Sequence, residues 1–282
     1  MPPLEHDHIG ALTPDPRALR IREVENGLGA KRLGTRFHYF SKLGSTNNHA
    51  RWLAEQGEPE GAVVIAEQQT RGRGRLGRRW FSPAYVNLYC SIILRPTLDP
   101  RQAPQITLAA AVALADAIES VSPVAAKIKW PNDILAGGKK LAGVLTEAVS
   151  KSNKIEFVIL GIGVNVNFPL ESMPPDIRER AASLSHLAGA SIRRETLLRR
   201  LIQDLDRCYG ILEESGFAAI APRWQARFEL RDRRVRVAMT DGTVTGRAVG
   251  IDGEGALMIE TPDGERQRIL AGDVIPAEES ET

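Results

Sequence analysis

Thr70-Arg71-Gly72-Arg73-Gly74-Arg75-Leu76-Gly77-Arg78-Arg79-Trp80 packs five arginines and three glycines into one short stretch. Before it runs Gly61-Ala-Val-Val-Ile-Ala66, apolar and of strand length, and after it Val86 to Leu94 reads as the next strand. The stretch is therefore a loop held between two strands, and three readings of it compete. Gly72, Gly74 and Gly77 fit G-x-G-x-x-G, but a dinucleotide loop needs a helix opening on the last glycine and an acid about 20 residues on. Trp80-Phe-Ser-Pro83 leads to a strand instead, and no Asp or Glu occurs between Arg71 and Leu98. An RG-type RNA-binding segment has the charge but sits in low-complexity sequence, and this loop does not. The remaining functional reading is a loop that wraps an anion. Glycines let the backbone close on a ligand, and arginine forks grip phosphate or carboxylate bidentately. Against it stands a solvated basic loop whose charges are offset by carboxylates from elsewhere in the fold.

The rest of the chain bounds these choices. Its 282 residues, 43% apolar and 26% charged, suffice for one large domain and a small one with a sizeable core. Net charge is only +2, so nothing global demands nucleic acid. From Phe228 onward there are 7 basic and 12 acidic residues, which leaves the positive excess in the first 227. Two cysteines, Cys90 and Cys208, with no C-x-x-C, argue against a disulfide scaffold, a structural zinc site or a redox motif. MPPLEHDHIGALTPDP lacks the basic start and apolar run of a signal peptide. The most apolar run, Ile106 to Ile118, is short for a bilayer and carries Asp116, so a cytoplasmic protein with no membrane partner is expected.

Ser45-Thr46 reads as a helix N-cap, opening a helix through about Gln56. Alanine-rich Pro104 to Ser120 reads as a buried helix. Ala125 to Trp130, Leu141 to Val149 and Ile155 to Val166 read as strands. Leu197, Leu198, Leu201, Ile202 and Leu205 mark a helix over Arg193 to Glu214, and a short one continues to about Phe228. Beyond Phe228, Val235-Arg-Val-Ala, the Asp241-Gly242 turn, Val244 to Val249, Gly253 and Gly255, and Ala256 to Ile259 read as short strands in tight turns, a small β-barrel-like domain.

Three other stretches bear on the loop. Lys127-Ile-Lys129-Trp130-Pro131-Asn132-Asp133 puts two same-face lysines at a strand end before an amide and a carboxylate, suited to a nucleotide's polar edges or Mg²⁺, or else a plain β-turn. Lys139-Lys140-Leu-Ala-Gly143-Val-Leu-Thr-Glu147 starts an apolar strand with Lys140. Gly161-Ile-Gly163-Val-Asn165-Val-Asn167 carries glycines where a ligand or backbone approaches closely, or where the strand bulges.

Together and in order, these stretches resemble the motifs of the biotin–protein ligases. The matching segments are Ser45-Thr46-Asn47, Gln69-x-x-Gly72-Arg73-Gly74-Arg75-x-Gly77-Arg78-x-Trp80, Lys129-Trp130-Pro131-Asn132-Asp133, Lys140-Leu-Ala-Gly143 and Gly161-Ile-Gly163-x-Asn165. The likeness covers about residues 38–270, and the arginine–glycine motif with KWPND is its specific part. It implies an α+β fold, a mixed β-sheet flanked by helices, related to class II aminoacyl-tRNA synthetases, with a small SH3-like C-terminal domain. The divisions expected are a flexible N-terminal arm over 1–36, a catalytic domain over 37–229 and the SH3-like domain over 230–282.

The resemblance also implies two steps. Biotin's carboxylate attacks the α-phosphate of ATP, giving biotinyl-AMP and pyrophosphate. A lysine of a biotin carboxyl carrier domain then attacks the mixed anhydride, and AMP leaves. By resemblance Ser45, Thr46, Asn47 and Gln69 lie at the biotin end, with Gly143, Gly161 and Gly163 also at the biotin site. Gly72, Arg73, Gly74 and Arg75 wrap the carboxylate and α-phosphate. Lys140 is the key cation, with Arg73 and Arg75 beside it in the chemistry. Arg75, Arg78, Trp80, Asn132 and Asn165 lie toward the nucleotide, and Asp133 holds Mg²⁺. A homodimer is compatible with the family. Gly44 stands where the family often carries an acid, and a small change in helix capping is expected. Residues 1–38 are too short and proline-rich for the DNA-binding module some members carry, so no repressor activity is expected. A lipoate–protein ligase, which shares the adenylate logic, is the nearest rival. A non-catalytic RNA-binding protein is the rival from another class.

Overall fold

The structure is a computed structural model in which residues 15–240 and 242–277 are described. The arm expected over 1–36 lies outside the described residues as far as residue 14, and so does Asp241 of the expected turn. From residue 15 onward the arm reading needs correction. A short helix α1, Ile21–Glu25, forms there, and Leu19, Val24, Leu28 and Leu33 are buried in the main core. Their spacing supplies enough apolar surface to dock, and the peptide groups find acids to bond. Leu19 N–H donates to Glu67 Oε1 at 2.6 Å, and the N–H groups of Lys31, Arg32 and Leu33 donate to the Asp206 carboxylate, each at 2.9 Å.

The body comprises β1 (Arg36–Leu43), α2 (Thr46–Glu55), β2 (Ala62–Gln69), β3 (Leu88–Leu94), α3 (Ala103–Val121), β4 (Lys127–Lys129), β5 (Asp133–Ala136), β6 (Lys139–Lys151), β7 (Lys154–Val164), α4 (Pro175–Arg178), α5 (Leu184–Ala188), α6 (Arg194–Ser215) and α7 (Ala221–Gln225). The seven strands run in the order β1-β2-β3-β7-β6-β5-β4. β1 and β2 are parallel, with α2 as their crossover, and every other pair is antiparallel, so the sheet is mixed. The largely apolar β3, with Ser91 its polar exception, is buried throughout because helices cover both faces. On one face Ala50 and Ala54 of α2 pack on Val64, Ile93, Phe157 and Ile159. On the other lie α3 and α6. By length and composition α3 could cross a membrane, but its alanines let α6 and the sheet approach closely, and 67% of its most apolar window is buried in this core.

After Leu230 come β8 (Arg234–Met239), β9 (Gly242–Ile251), β10 (Leu257–Glu260), β11 (Arg266–Ile269) and β12 (Asp273–Pro276), an antiparallel sheet in the order β11-β10-β9-β8-β12. Val235, Val237, Leu257, Ile259, Ile269 and Val274 alternate into its core. Polar ties fix it to the body: Trp130 Nε1–H donates to Gly255 O at 3.1 Å, and Gln225 Nε2 to Ile251 O at 3.0 Å.

Two sequence readings change locally. The Pro131-Asn132-Asp133 turn is real, but Asp133 already begins β5, which pairs back on Lys127–Lys129. Strands β11 and β12 carry too few apolar residues for periodicity to show them.

Candidate active site

The loop that opened the sequence is a narrow excursion between β2 and β3. Trp80 N–H donates to Gly72 O at 3.0 Å and Gly74 N–H to Arg78 O at 2.7 Å, so its two limbs pair. The tip is a single 3₁₀ turn over Arg75–Gly77, where Leu76 and Gly77 have φ of +55° and +73°. Its base is sewn to the end of β1 by Thr70 N–H to Leu43 O and Arg71 N–H to Gly44 O. No helix opens on the glycines, which disposes of the dinucleotide reading on geometry.

Between this loop, the sheet and the C-terminal strands lies a cavity of about 710 Å³, within the range of small-molecule sites. Ser45, Thr46, Asn47, Gln69, Arg73, Gly74, Arg75, Arg78, Trp80, Asn132, Asp133, Lys140, Gly143, Gly161, Gly163 and Asn165 all line it. Gly72 does not. It lies beneath the loop, where a Cβ would run into Trp80 O and Ser82 Oγ.

One end is neutral and polar. Ser45 is the N-cap residue of α2, but its side chain makes no capping bond. Gln69 Oε1 from β2 serves instead, accepting from Thr46 N–H at 2.9 Å and lying 3.1 Å from Thr46 Oγ1. Gln69 Nε2 donates to Ser82 Oγ at 3.1 Å. Ser91 Oγ lies 2.6 Å from Asn47 Oδ1 and 2.8 Å from Thr46 Oγ1, and Asn47 Nδ2 donates to Glu147 Oε2 at 2.8 Å. Gly161 makes room for this network: a Cβ there would overlap Asn47 Oδ1.

The middle is cationic. Lys140 Nζ lies 2.6 Å from Asp133 Oδ1, an oxygen buried without an aligned hydrogen bond. Arg73 pairs with Glu147 at 2.8 Å and donates to Asn48 Oδ1 at 2.7 Å. Arg75 NH1 donates to Asn132 Oδ1 at 3.0 Å, and both Arg75 and Arg78 pair with Asp273. The carboxylates that offset the loop thus come from β6 and β12, far from it in sequence, while Asp133 of β5 offsets Lys140. Burial lowers the pKa of Lys129, the last residue of β4, against the pull of Asp133.

The register explains the far wall. Lys129 pairs with Asp133, Asp133 with Gly143, and Gly143 with Gly163, so the four lie in one row across β4-β5-β6-β7. Directly paired residues share a face. The two glycines leave a trough in which the Trp80 indole rests; a Cβ on Gly163 would come within 2.7 Å of the ring. The close approach expected at the glycines is thus made by side chains, Asn47 and Trp80. Lys140 Nζ stands 5.4 Å from the indole centroid, in cation–π range. Asn132 is fixed by its Nδ2 bond to Val144 O at 2.8 Å, and Asn165 by backbone bonds to Leu141 O and from Leu184 N–H. Phe168, Met173 and Ala181 add an apolar flank.

Sequence reasoning passed over Ser82, Ser91, Glu147, Asp273 and this flank. Only register and the folding of β12 onto the body bring them in. Glu147 alone had a signal, standing at the end of the Lys139–Glu147 stretch. As a whole the cavity joins a neutral hydrogen-bonding end, a cationic middle and an aromatic, amide-lined end, which suits a neutral polar molecule bearing a carboxylate beside a nucleotide.

Comparison with known proteins agrees. Residues 39–165 match the Biotin/lipoate A/B protein ligase family and residues 232–275 the Biotin protein ligase C terminal domain. The chain is 37% identical over 92% of its length to the bifunctional ligase/repressor BirA of Bacillus subtilis, covering 79% of that protein. It is 35% identical to the biotin–[acetyl-CoA-carboxylase] ligase of Mycobacterium tuberculosis, covering 93% of this chain and 95% of that one. The biotin protein ligase of Aquifex aeolicus, solved in complex with biotin and ATP, superposes with a TM-score of 0.75 at 27% identity, covering 86% of this chain and all of that one. With relatives this similar over most of their length, and with the family's motifs gathered on one cavity, the chain belongs to the biotin–protein ligase family.

Proposed function

We infer that this chain is a biotin–protein ligase, which activates biotin with ATP and passes it to a carrier lysine. The observation that carries the reading is one cavity with neutral polar groups at one end and paired cations at its middle. Biotin's ureido ring is neutral and asks for donors and acceptors in a partly apolar pocket. Ser45, Thr46, Asn47 and Gln69, with Gly161 beneath, are the residues proposed to take it; Gly143 and Gly163, which the resemblance placed there, lie instead under the Trp80 indole.

In the first step a carboxylate oxygen bonds to the α-phosphorus while the bond to the bridging oxygen breaks, and the electron pair leaves on pyrophosphate. Two anions meet, and charge gathers on the phosphoryl oxygens. Lys140, Arg73 and Arg75 are proposed to stabilise that charge, already held in place by Asp133, Glu147 and Asn132. Gly72 and Gly74 let the loop wrap the carboxylate and α-phosphate. Trp80, Arg78, Asn132 and Asn165 are proposed for the adenylate. In the second step the carrier's lysine amine attacks the acyl carbon, the bond to AMP breaks, and the amine's proton goes to water. The loop over the cavity keeps water off the anhydride in between.

Among the described residues no three His, Cys, Asp or Glu side chains gather as a resident metal centre would require. Mg²⁺ carried by ATP needs only one or two protein carboxylates, and the Asp133 carboxylate on the cavity wall fits that demand if Lys140 turns from it to the incoming phosphate. Asp133 would hold the ion, which would withdraw charge from the phosphate tail. The body and the five-stranded sheet support the class II synthetase-like and SH3-like readings of the two domains, with their boundary near Leu230. The carrier partner is proposed to be a biotin carboxyl carrier domain.

ATP–pyrophosphate exchange with Mg²⁺ tests the reading, run with biotin, with lipoate and with neither. Exchange with biotin alone is expected. Exchange with lipoate would move the chain to the neighbouring branch of the family, and exchange with neither would sink the chemistry.

A further inference from the structure

Four of the cations bordering the cavity are committed to carboxylates. Arg73 pairs with Glu147, Arg75 and Arg78 with Asp273, and Lys140 with Asp133. Arg79, Arg180 and Arg233 also border it without an ion pair, but all three are exposed to solvent. Lys129 is different. It lines the cavity and is half-buried, yet among the described residues its ammonium has neither an ion pair nor a hydrogen bond. A half-buried ammonium without a partner is costly unless something binds it.

Its position identifies the ligand. Lys129 leaves the sheet on the same face as Asp133 and as the glycine trough under Trp80, because the row Lys129–Asp133–Gly143–Gly163 is in direct register. Along that row toward the sheet edge come the Trp80 indole, the Lys140–Asp133 pair, and then Lys129 one strand spacing further, about 4.8 Å. The charged groups it faces are Asp133, Lys140, Asp273 and Arg78. The row therefore has an order: an aromatic platform, a cation committed to a carboxylate, and an uncommitted cation. On the function inferred above, on which this rests, the α-phosphate sits at Lys140, and the next station belongs to the phosphates beyond it.

We propose that Lys129 holds the β- and γ-phosphates of ATP and stays on the pyrophosphate as it departs, serving the first half-reaction only. When the bond from the α-phosphorus to the bridging oxygen breaks, the electron pair remains on that oxygen, and Lys129 faces the charge it adds. The biotinyl adenylate has no such phosphates and does not reach it.

The test uses the full chain with Lys129→Gln and Lys129→Arg, and two probes, inorganic pyrophosphate in the exchange reaction and synthetic biotinyl-5′-AMP in calorimetry. Lys129→Gln should raise the KM for pyrophosphate and for ATP about tenfold or more, as expected for one lost charge-assisted phosphate contact. It should bind biotinyl-5′-AMP as wild type does, which also shows that the fold is intact. Lys129→Arg should recover most of the pyrophosphate affinity. An unchanged KM for pyrophosphate in Lys129→Gln, or an equal loss of affinity for biotinyl-5′-AMP, would overturn the assignment. Absence of biotin-dependent exchange in wild type would instead remove the functional reading beneath it.

Discussion

At the scale of single residues, the cavity depends on a few atoms whose positions leave no slack. Lys140→Ala should abolish adenylate formation, cutting pyrophosphate exchange by roughly 10²–10³-fold, as loss of a preorganised charge-stabilising group does. Circular dichroism should be unchanged, since the Lys140 ammonium contacts only Asp133 and the Trp80 indole, both on the cavity wall. Normal exchange in that variant would strip Lys140 of its role. Gly163→Ala makes a different demand: its methyl would meet the Trp80 indole at 2.7 Å. Overpacking of this kind costs about 1–3 kcal/mol, and here it should lift the indole out of its trough. A rise in the KM for ATP together with a shift in tryptophan emission is the expected result. Cys90 reports on the core. Burial pushes its thiol up to about 12, so at pH 8 it stays protonated and should resist iodoacetamide until the chain unfolds, as mass spectrometry would show.

At the scale of elements, the arginine–glycine loop is a hinged strap rather than an independent site. Its limbs pair with each other, its base hangs on β1, and its arginines reach out to carboxylates on β6 and β12. Arg73→Ala removes the tie to Glu147 and Asn48. Biotin retention should fall, and biotinyl-AMP should appear free in solution faster than from wild type, measured by filtration of a single-turnover reaction. Equal release rates would mean that the strap does not hold the adenylate through Arg73. The missing acid at residue 44 also finds its meaning here. A side chain at Gly44 would stand 3.7 Å from the Arg71 guanidinium, so an acid there would brace the base of the strap, not the cap of α2.

At the scale of the whole molecule, an ion pair inside the core joins four parts of the chain. Glu67 on β2 is fully buried and receives Arg194 NH1 of α6 at 2.7 Å, Tyr39 Oη of β1 at 2.8 Å and Leu19 N–H of the N-terminal segment at 2.6 Å. Removing one partner of such a pair leaves a buried charge uncompensated and costs about 3–5 kcal/mol. Glu67→Gln should therefore lower the urea midpoint markedly, without any direct change to the cavity. The described part of the N-terminal segment, from residue 15 on, read from sequence as part of a loose arm, is instead held by this network and by Asp206.

The local pattern carried far in this chain. The apolar runs at Ala62–Ala66 and Leu88–Leu94, the alanine-rich α3 and the leucine spacing of α6 each report burial along one element, and burial of one element needs only its neighbours in sequence to be legible. The motifs also delivered the cavity: of the residues singled out, all but Gly72 line it, because family motifs preserve spacing within single loops and strand ends. What one-dimensional order does not contain is which strands lie side by side. That β7 lies between β3 and β6 sets Gly163 opposite Gly143 and makes the trough for Trp80. That β12 folds back beside β8 carries Asp273 to Arg75 and Arg78, nearly two hundred residues away in the chain. A strand's side-chain alternation is fixed by its own residues, but its partner is chosen by the burial of the sheet as a whole, so only the tertiary structure could supply the carboxylates that balance the arginine loop and leave Lys129 unpaired.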